Sequence, residues 1–294
     1  MRIVVAGSSG LIGTALVEGL RSGGHEIVRL VRRPPRAPDE REWDPPAGRV
    51  GGDALAGADA VVNLCGAPIA GRRWSHARKQ VLIDSRIEPT EVLSAAVAEH
   101  GIPLLVNASA VGYYGDGGDR ELDESAPRGT GFLADLCGTW EAATQHASSA
   151  GARVVRLRTG HVLSRQGGLL AMMRPLFQLM LGGRLGDGRQ FMPWITVDDQ
   201  VAAMRFVLDN DALSGAVNVC SPHPVTNAEF THQLGRTLRR PAPWFAPAPA
   251  IRLAVGDHAG EILFSQRTVP AALLEHGFVF GHPRLDRALE AVLR

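Results

Sequence analysis

Cysteine is scarce in this chain: three residues, at 65, 137 and 220, among 294. No C-x-x-C occurs and the number is odd, so a disulfide framework is not expected. The ten histidines are scattered, and none stands at metal-ligand spacing from another His or a Cys, so no metal is expected either. Aromatic residues make up 5% and the formal net charge is +1. No basic run is interleaved with aromatics, which argues against nucleic acid as a partner. No stretch of 18 apolar residues exists, so no helix is expected to cross a membrane. The first apolar run, Ile3 to Ala6, is too short for a secretion signal and leads into glycines. A reducing cytoplasm is the expected location.

What is present is ordinary for a soluble globular protein, with 45% hydrophobic and 21% charged residues. The length suits one large domain or two lobes. The opening alternates strand and helix. Ile3 to Ala6 reads as a buried strand, Leu11 to Ser22 as a helix ended by Gly23-Gly24, and Glu26 to Val31 as a second strand. A proline-rich loop is expected over 34–46, strands over 60–64, 103–109 and 152–158, and helices over 74–100 and 132–148. This order predicts an α/β fold: a Rossmann-type, doubly wound parallel sheet. The texture changes near residue 160, with glycine-rich loops around a helix over 169–181. The expected division is a dinucleotide-binding domain over 1–165, with 190–220 packing back on it. Residues 166–189 and 221–294 would then form a smaller C-terminal substrate lobe.

The run Ala6-Gly7-Ser8-Ser9-Gly10-Leu11-Ile12-Gly13 joins the first strand to the first helix. Its glycines fall at G-x-x-G-x-x-G. A tight turn there brings backbone N–H groups to a pyrophosphate at the helix N-terminus, where a side chain would block close approach. A glycine triplet alone is weak; between a strand and a helix it marks a dinucleotide site. The second discriminating position follows the second strand. An NAD-selective site places an acid there for the ribose 2′-hydroxyl. This chain has Arg32 and Arg33. An arginine accepts a 2′-phosphate through charge-assisted hydrogen bonds, which favours NADP(H) over NAD(H). Arg32 ranks first, because Arg33 points the other way if the strand continues.

Several segments together resemble the extended and atypical short-chain dehydrogenase/reductases of the epimerase/dehydratase superfamily. Besides the glycine loop, Asn63-Leu64-Cys65-Gly66 resembles a strand end that lies along the cofactor. Ala108-Ser109-Ala110-Val111-Gly112-Tyr113-Tyr114-Gly115 resembles the segment beside the nicotinamide, and Leu122 to Pro127 the loop after it. Arg73-Trp74, Ser85-Arg86-Ile87, Trp140-Glu141, Pro193-Trp194-Ile195 and Thr226 to Phe230 resemble a subgroup of epimerase-family proteins with a small C-terminal domain of unknown function. The resemblance implies NADP(H) as cofactor. It implies cofactor contacts from Gly7, Ser9, Gly10, Leu11, Ile12 and Gly13, from Val31 and Arg32 with Arg33 beside them, from Leu64, Cys65 and Gly66, and from Arg86, Ala108 and Val162.

The superfamily's catalytic pair is Tyr-x-x-x-Lys, with a Glu four residues further on. Anchoring on Glu141 puts Leu133 at the Tyr position and Cys137 at the Lys position. Neither can manage a proton or hold a permanent cation as that pair does. The catalytic candidates are then Ser109, to bind a carbonyl or line the cofactor pocket, and the chain's only tyrosines, Tyr113 and Tyr114. For the tyrosines, pocket wall and packing is the competing reading. Arg72-Arg73-Trp74 is either part of a substrate loop or a capping turn, and Asp198-Asp199 reads as a helix start. His161 and Gln190 are candidate pocket residues. Met172, Met173, Leu176, Phe177 and Met180 read as core or a subunit face, so a second copy of the chain is a candidate partner. Two functions remain open: an NADP(H)-dependent oxidoreductase or epimerase/dehydratase acting on a small molecule, and an NADP(H)-binding sensor or scaffold without turnover.

Overall fold

The computed structural model describes residues 1–70, 73–256 and 258–293. Eight strands form the central sheet: β1 (Arg2–Ala6), β2 (Glu26–Val31), β3 (Glu40–Asp44), β4 (Arg49–Val50), β5 (Ala60–Asn63), β6 (Leu104–Ala110), β7 (Arg153–Thr159) and β8 (Gly215–Val219). Their order is β8-β7-β6-β5-β1-β2-β3-β4. All neighbours are parallel except β3 and β4. The principal helices are α1 (Leu11–Ser22), α2 (His76–His100), α3 (Phe132–Ala142), α4 (Gln145–Ser149), α5 (Gly168–Gln178), α6 (Val197–Asp209) and α7 (Asn227–Leu238).

Side-chain alternation along β1 explains the layers. Ile3 and Val5 pack with Leu16 and Leu20 of α1 and with Ala203, Met204 and Val207 of α6. Val4 and Ala6 face the other way, toward Leu93 and Val97 of α2 and Ala147 of α4. A strand buried on both faces reads as a continuous apolar run, as this one does. A third core belongs to the C-terminal lobe. There Leu170 and Phe177 of α5 and Phe230 and Leu234 of α7 meet Leu285 and Leu289 of the last helix, Leu285–Leu293. The expected apolar stripe of α5 splits: Phe177 is buried, whereas Met172, Leu176 and Met180 are exposed.

Three elements depart from the sequence-based expectation. The proline-rich loop contains β3, which pairs with β2 through Arg29↔Glu40 to Val31↔Glu42. Residues 132–148 form two helices, because the chain turns at Thr144, whose hydroxyl donates to the Glu141 carbonyl (2.7 Å). Finally, residues 227–238 form a helix, α7, beyond the sequence-based expectation, and Thr226 caps it by accepting from the Glu229 N–H (3.2 Å).

Ion pairs rather than apolar periodicity tie β3 to β2. Arg29 bonds Asp39 (2.6 and 2.9 Å), and Arg33 grips both oxygens of Glu40 (2.8 Å each). The Arg33 guanidinium and the Arg36 N–H hold the Glu40 carboxyl down at about 2, below its usual 4.5. A lowered carboxyl pKa stabilises the fold above the unfolded value and loses that contribution as pH falls. Acid titration of stability should therefore steepen between pH ~4.5 and ~2. A Glu40→Gln variant, followed by circular dichroism, should show a shallower loss over the same window.

Candidate functional site

The glycine loop lies where the sheet changes direction. The chain runs outward from β1 to β2 on one side and later returns to β5 on the other, so the C-terminal ends of β1 and β5 open a crevice. Gly7 has φ +79°, and a Cβ there would stand 2.7 Å from the Leu64 carbonyl. A Cβ on Gly13 would stand 2.2 Å from the Gly7 oxygen. Both positions therefore require glycine for the fold itself. Gly10 differs: its N–H closes the turn on the Gly7 oxygen (3.1 Å), and a Cβ would meet only that oxygen, at 3.4 Å. Helix α1 begins after it with no side-chain cap and no acid in its first turn. Ser9 and Gly10 are exposed, and Leu11 and Ile12 are half-buried. The shape is a cradle that a side chain would fill, ending on free amide dipoles suited to an anion.

The neighbouring positions converge on this crevice to different degrees. Val31 ends β2 and is half-buried. Arg32 is exposed, and no acid pairs with it among the described residues. Arg33 is engaged with Glu40, so its fork is already occupied. Leu64 abuts Gly7, and Val162 comes alongside through Gly168, whose Cβ position lies 2.9 Å from the Val162 oxygen and 3.4 Å from Leu11. Cys65 donates its N–H to the Asn63 side chain (3.1 Å). Asn63 donates to Thr90 (2.9 Å) and Asn107 (2.8 Å), which fixes the ends of β5 and β6 against α2. Burial raises the Cys65 thiol to about 12, so it stays protonated at neutral pH. Arg86 is buried beneath Gly66 and donates to the carbonyls of Leu82 and Ala67 (3.1 Å each). Its guanidinium lies 5.1 Å from the Trp140 ring centre. Burial lowers its pKa to about 10, which leaves it a cation at neutral pH.

Ala108 and Ser109 lie among the last residues of β6, beside a buried polar network that the sequence did not reveal. Arg158 of β7 donates to both oxygens of Glu141 on α3 (2.9 Å each). Ser109 Oγ donates to Glu141 Oε1 (2.7 Å). A third Arg158 nitrogen reaches the Tyr114 hydroxyl (3.0 Å), which in turn donates to Asn218 Oδ1 (2.7 Å). Tyr113 is half-buried, with its ring centre 3.5 Å from the Arg158 guanidinium carbon. Burial pushes the Tyr114 phenol above its ordinary range, against the pull of Arg158. Burial works against the Arg158 cation more than any single partner supports it, but the hydrogen bonds and charges of Glu141 and Tyr114 together outweigh that, and its pKa rises. The structure therefore directs the Ser109 and Tyr114 protons inward, into an ion-paired cluster. Of the three residues expected to do chemistry, Tyr113 alone has a hydroxyl without a hydrogen-bond partner among the described residues. At the edge of the cluster Glu124 accepts from the Asn218 N–H (2.9 Å) and the Ala272 N–H (3.2 Å).

Leu133 and Cys137 do face this region. A Cβ on Gly112 would stand 3.1 Å from Leu133 Cβ and 3.8 Å from the Cys137 sulfur. Burial raises the Cys137 thiol to about 12. The C-terminal lobe closes over the same turn. Gln266 donates to the carbonyls of Val111 and Gly115 (3.1 Å each), and Glu261 accepts the Leu133 N–H (3.2 Å). Burial raises the Glu261 carboxyl, partly offset by that hydrogen bond. Glu261 lies in a helical segment, His258–Leu263, that gave no usable sequence signal.

The remaining candidates stand apart from the hydrogen bonds of the Ser109–Arg158 cluster. Gln190 is buried and donates to the Leu185 carbonyl (3.0 Å). His161 is exposed at the strand His161–Leu163. Thr196, not the aspartates, caps α6; Asp199 is buried and accepts from Gly281 (2.7 Å) and His282 (2.9 Å). Arg72 lies outside the described residues. Its neighbour Trp74 is buried, edge-on to Phe132 at 5.1 Å and stacked on His258 at 4.4 Å.

A glycine cradle at the switch point of a parallel sheet, covered by helices on both faces, defines a Rossmann-type protein with an added C-terminal lobe. The chain belongs to the NAD dependent epimerase/dehydratase family, whose model matches residues 3–220. Residues 246–292 match a domain of unknown function, DUF1731. The epimerase family protein Mb2239 of Mycobacterium bovis is 54% identical over 288 residues, covering 98% of this chain and 96% of that one. The human epimerase family protein SDR39U1, solved with NADPH, has a TM-score of 0.92 at 33% identity and 99% coverage of both chains. A nucleoside-diphosphate sugar epimerase structure from Corynebacterium glutamicum has a TM-score of 0.83 at 37% identity, covering all of this chain and 58% of that one.

Proposed function

We propose that this protein binds NADP(H) in the Gly7–Gly13 cradle and catalyses hydride transfer to or from a small-molecule substrate held between the two lobes. The observation that carries the binding half is the cradle itself, in which Gly10 leaves space open at the uncapped N-terminus of α1. The human relative solved with NADPH supports the choice of cofactor. Arg32, exposed at the end of β2, is assigned to the 2′-phosphate. Arg32→Asp should weaken NADPH binding at least tenfold, the scale of one lost charge-assisted bond, with little effect on NADH. Titration calorimetry with both nucleotides checks this, and equal losses would sink the assignment.

Bound NADP(H) supplies the hydride, and the protein must orient it and manage a proton. Arg86 stands below Gly66 as a buried cation and takes the electrostatic part that the superfamily gives to lysine. Glu261 abuts Leu133, where the superfamily has its tyrosine, and its raised pKa suits a general acid. Tyr113 shapes the pocket on Arg158. With an active carbonyl substrate found by panel screening, Glu261→Gln should lower kcat about 100-fold. Reduction by wild type should decline as pH rises through the Glu261 pKa, and the variant should lack that limb. Tyr113→Phe losing as much as Glu261→Gln would reassign the proton to the phenol. A panel without turnover, with NADPH bound, would favour a cofactor-dependent binding protein; the inward commitment of Ser109 and Tyr114 supports that second reading.

A further inference from the structure

A cleft of about 550 Å³ lies on the outer side of the C-terminal lobe, between α7, the loop 239–244 and Arg184. None of its walls belongs to the glycine cradle or to the Ser109–Arg158 cluster. Four arginines line it, Arg184, Arg236, Arg239 and Arg240, together with His232 and Trp244. No acid pairs with any of the four among the described residues. Such a concentration of like charge along one cleft is complementary to an anion.

Helix capping does not account for the cluster. Cations gather at helix C-termini to answer the free carbonyls. Here the backbone does that work: the Arg239 N–H reaches the Arg236 oxygen (3.0 Å) and the Arg240 N–H reaches the Gly235 oxygen (2.9 Å). The Arg239 residue that makes this closure has φ +55°, where glycine or asparagine is usual. Only one other non-glycine among the described residues has positive φ, Met180 at +59°. Its carbonyl accepts the Trp244 indole N–H (2.8 Å), which holds that ring at the cleft wall. Arg239 thus lines the cleft and Met180 reaches it through Trp244, and backbone strain of this kind concentrates at binding sites. Thr231, also on the wall, is 3% exposed, and its hydroxyl has no hydrogen-bond partner among the described residues.

We infer that this cleft is a second ligand site, for a small molecule carrying two or more phosphate charges. The arginines supply planar, bidentate donors for phosphate oxygens. Trp244, 60% exposed, offers an apolar face to a ring attached to them. Arg240 also donates to the Arg239 carbonyl (3.1 Å), and Arg184 lies 5.8 Å from the Phe245 ring centre, so each has a contact beside the cleft.

The test uses the whole protein saturated with NADPH, with inorganic pyrophosphate and ADP as probes in titration calorimetry. Both should bind saturably, and ADP should bind more tightly if the ring rests on Trp244. Arg239→Gly is the decisive variant. Glycine fits the left-handed conformation better than arginine, so the variant should melt no lower than wild type. It should nevertheless lose about tenfold in affinity for both probes, and adding Arg240→Ala should lose about tenfold more. Trp244→Ala should weaken ADP alone. Pyrophosphate that fails to bind at millimolar concentration, or that binds Arg239→Gly as wild type does, overturns the proposal. Unchanged NADPH binding in every variant keeps this outcome separate from the fate of the cradle.

Discussion

Glu141→Ala should cost about 3–5 kcal/mol of folding stability, the range for removing one partner of a buried ion pair. Arg158 is 4% exposed and Glu141 5%, so neither charge can recover its hydration by turning outward. Removal of the carboxylate leaves the guanidinium beside Tyr113 and Tyr114 with no counter-charge, and leaves Ser109 Oγ without its acceptor. In a protein of this size that cost lowers Tm by roughly 10 °C, readable by calorimetry. Glu141→Leu combined with Arg158→Leu should cost less than the sum of the two single variants, because no orphan charge remains. Strict additivity would mean that the two side chains act independently and that the cluster is not a unit.

Gly10→Ala should separate folding from cofactor approach at the cradle. Gly10 has φ −76° and an ordinary contact at its Cβ position, so alanine fits the protein without strain. Its stability should match wild type to within about 0.5 kcal/mol, as for an ordinary surface change. NADPH affinity should nevertheless fall about 100-fold, because the added methyl stands where a pyrophosphate approaches the helix N-terminus. Gly13→Ala should lose both stability and binding, since its methyl collides with the Gly7 carbonyl. A Gly10→Ala protein that binds NADPH like wild type would falsify the placement of the pyrophosphate.

The cradle was readable in the sequence because backbone geometry restricts Gly7 and Gly13 to a single residue type. The alternation of β1 was equally readable, since Ile3 and Val5 face one layer and Val4 and Ala6 the other. β3 was not, because Glu40-Arg41-Glu42-Trp43-Asp44 is held by charge pairs to Arg33, Asp53 and Arg49, and such pairs leave no period in one segment. For α7 a signal existed in Thr226-x-x-Glu229, a cap spacing that the proline-rich surroundings obscured. The catalytic region was the hardest to read. Arg158 sits in a strand whose neighbours are Val155 and Leu157, and its partner lies 17 residues earlier on a helix. An arginine inside an apolar strand is itself a sign that a buried partner exists somewhere. Which partner it is depends on the tertiary fold, as does the approach of Glu261 to Leu133 from 128 residues away.

The carboxylate of Glu124 has a further consequence for the sheet. β8 is an outermost strand, and its outward Asn218 N–H would otherwise be open to any extended chain. Glu124 occupies that donor, while the Asn218 side chain bonds the carbonyls of Leu122 (3.3 Å) and Val269 (2.9 Å). At the opposite margin β4 is two residues long and runs against β3. The sheet is thus blunted on both margins against strand addition, so its parallel core resists growing into a neighbouring molecule's sheet.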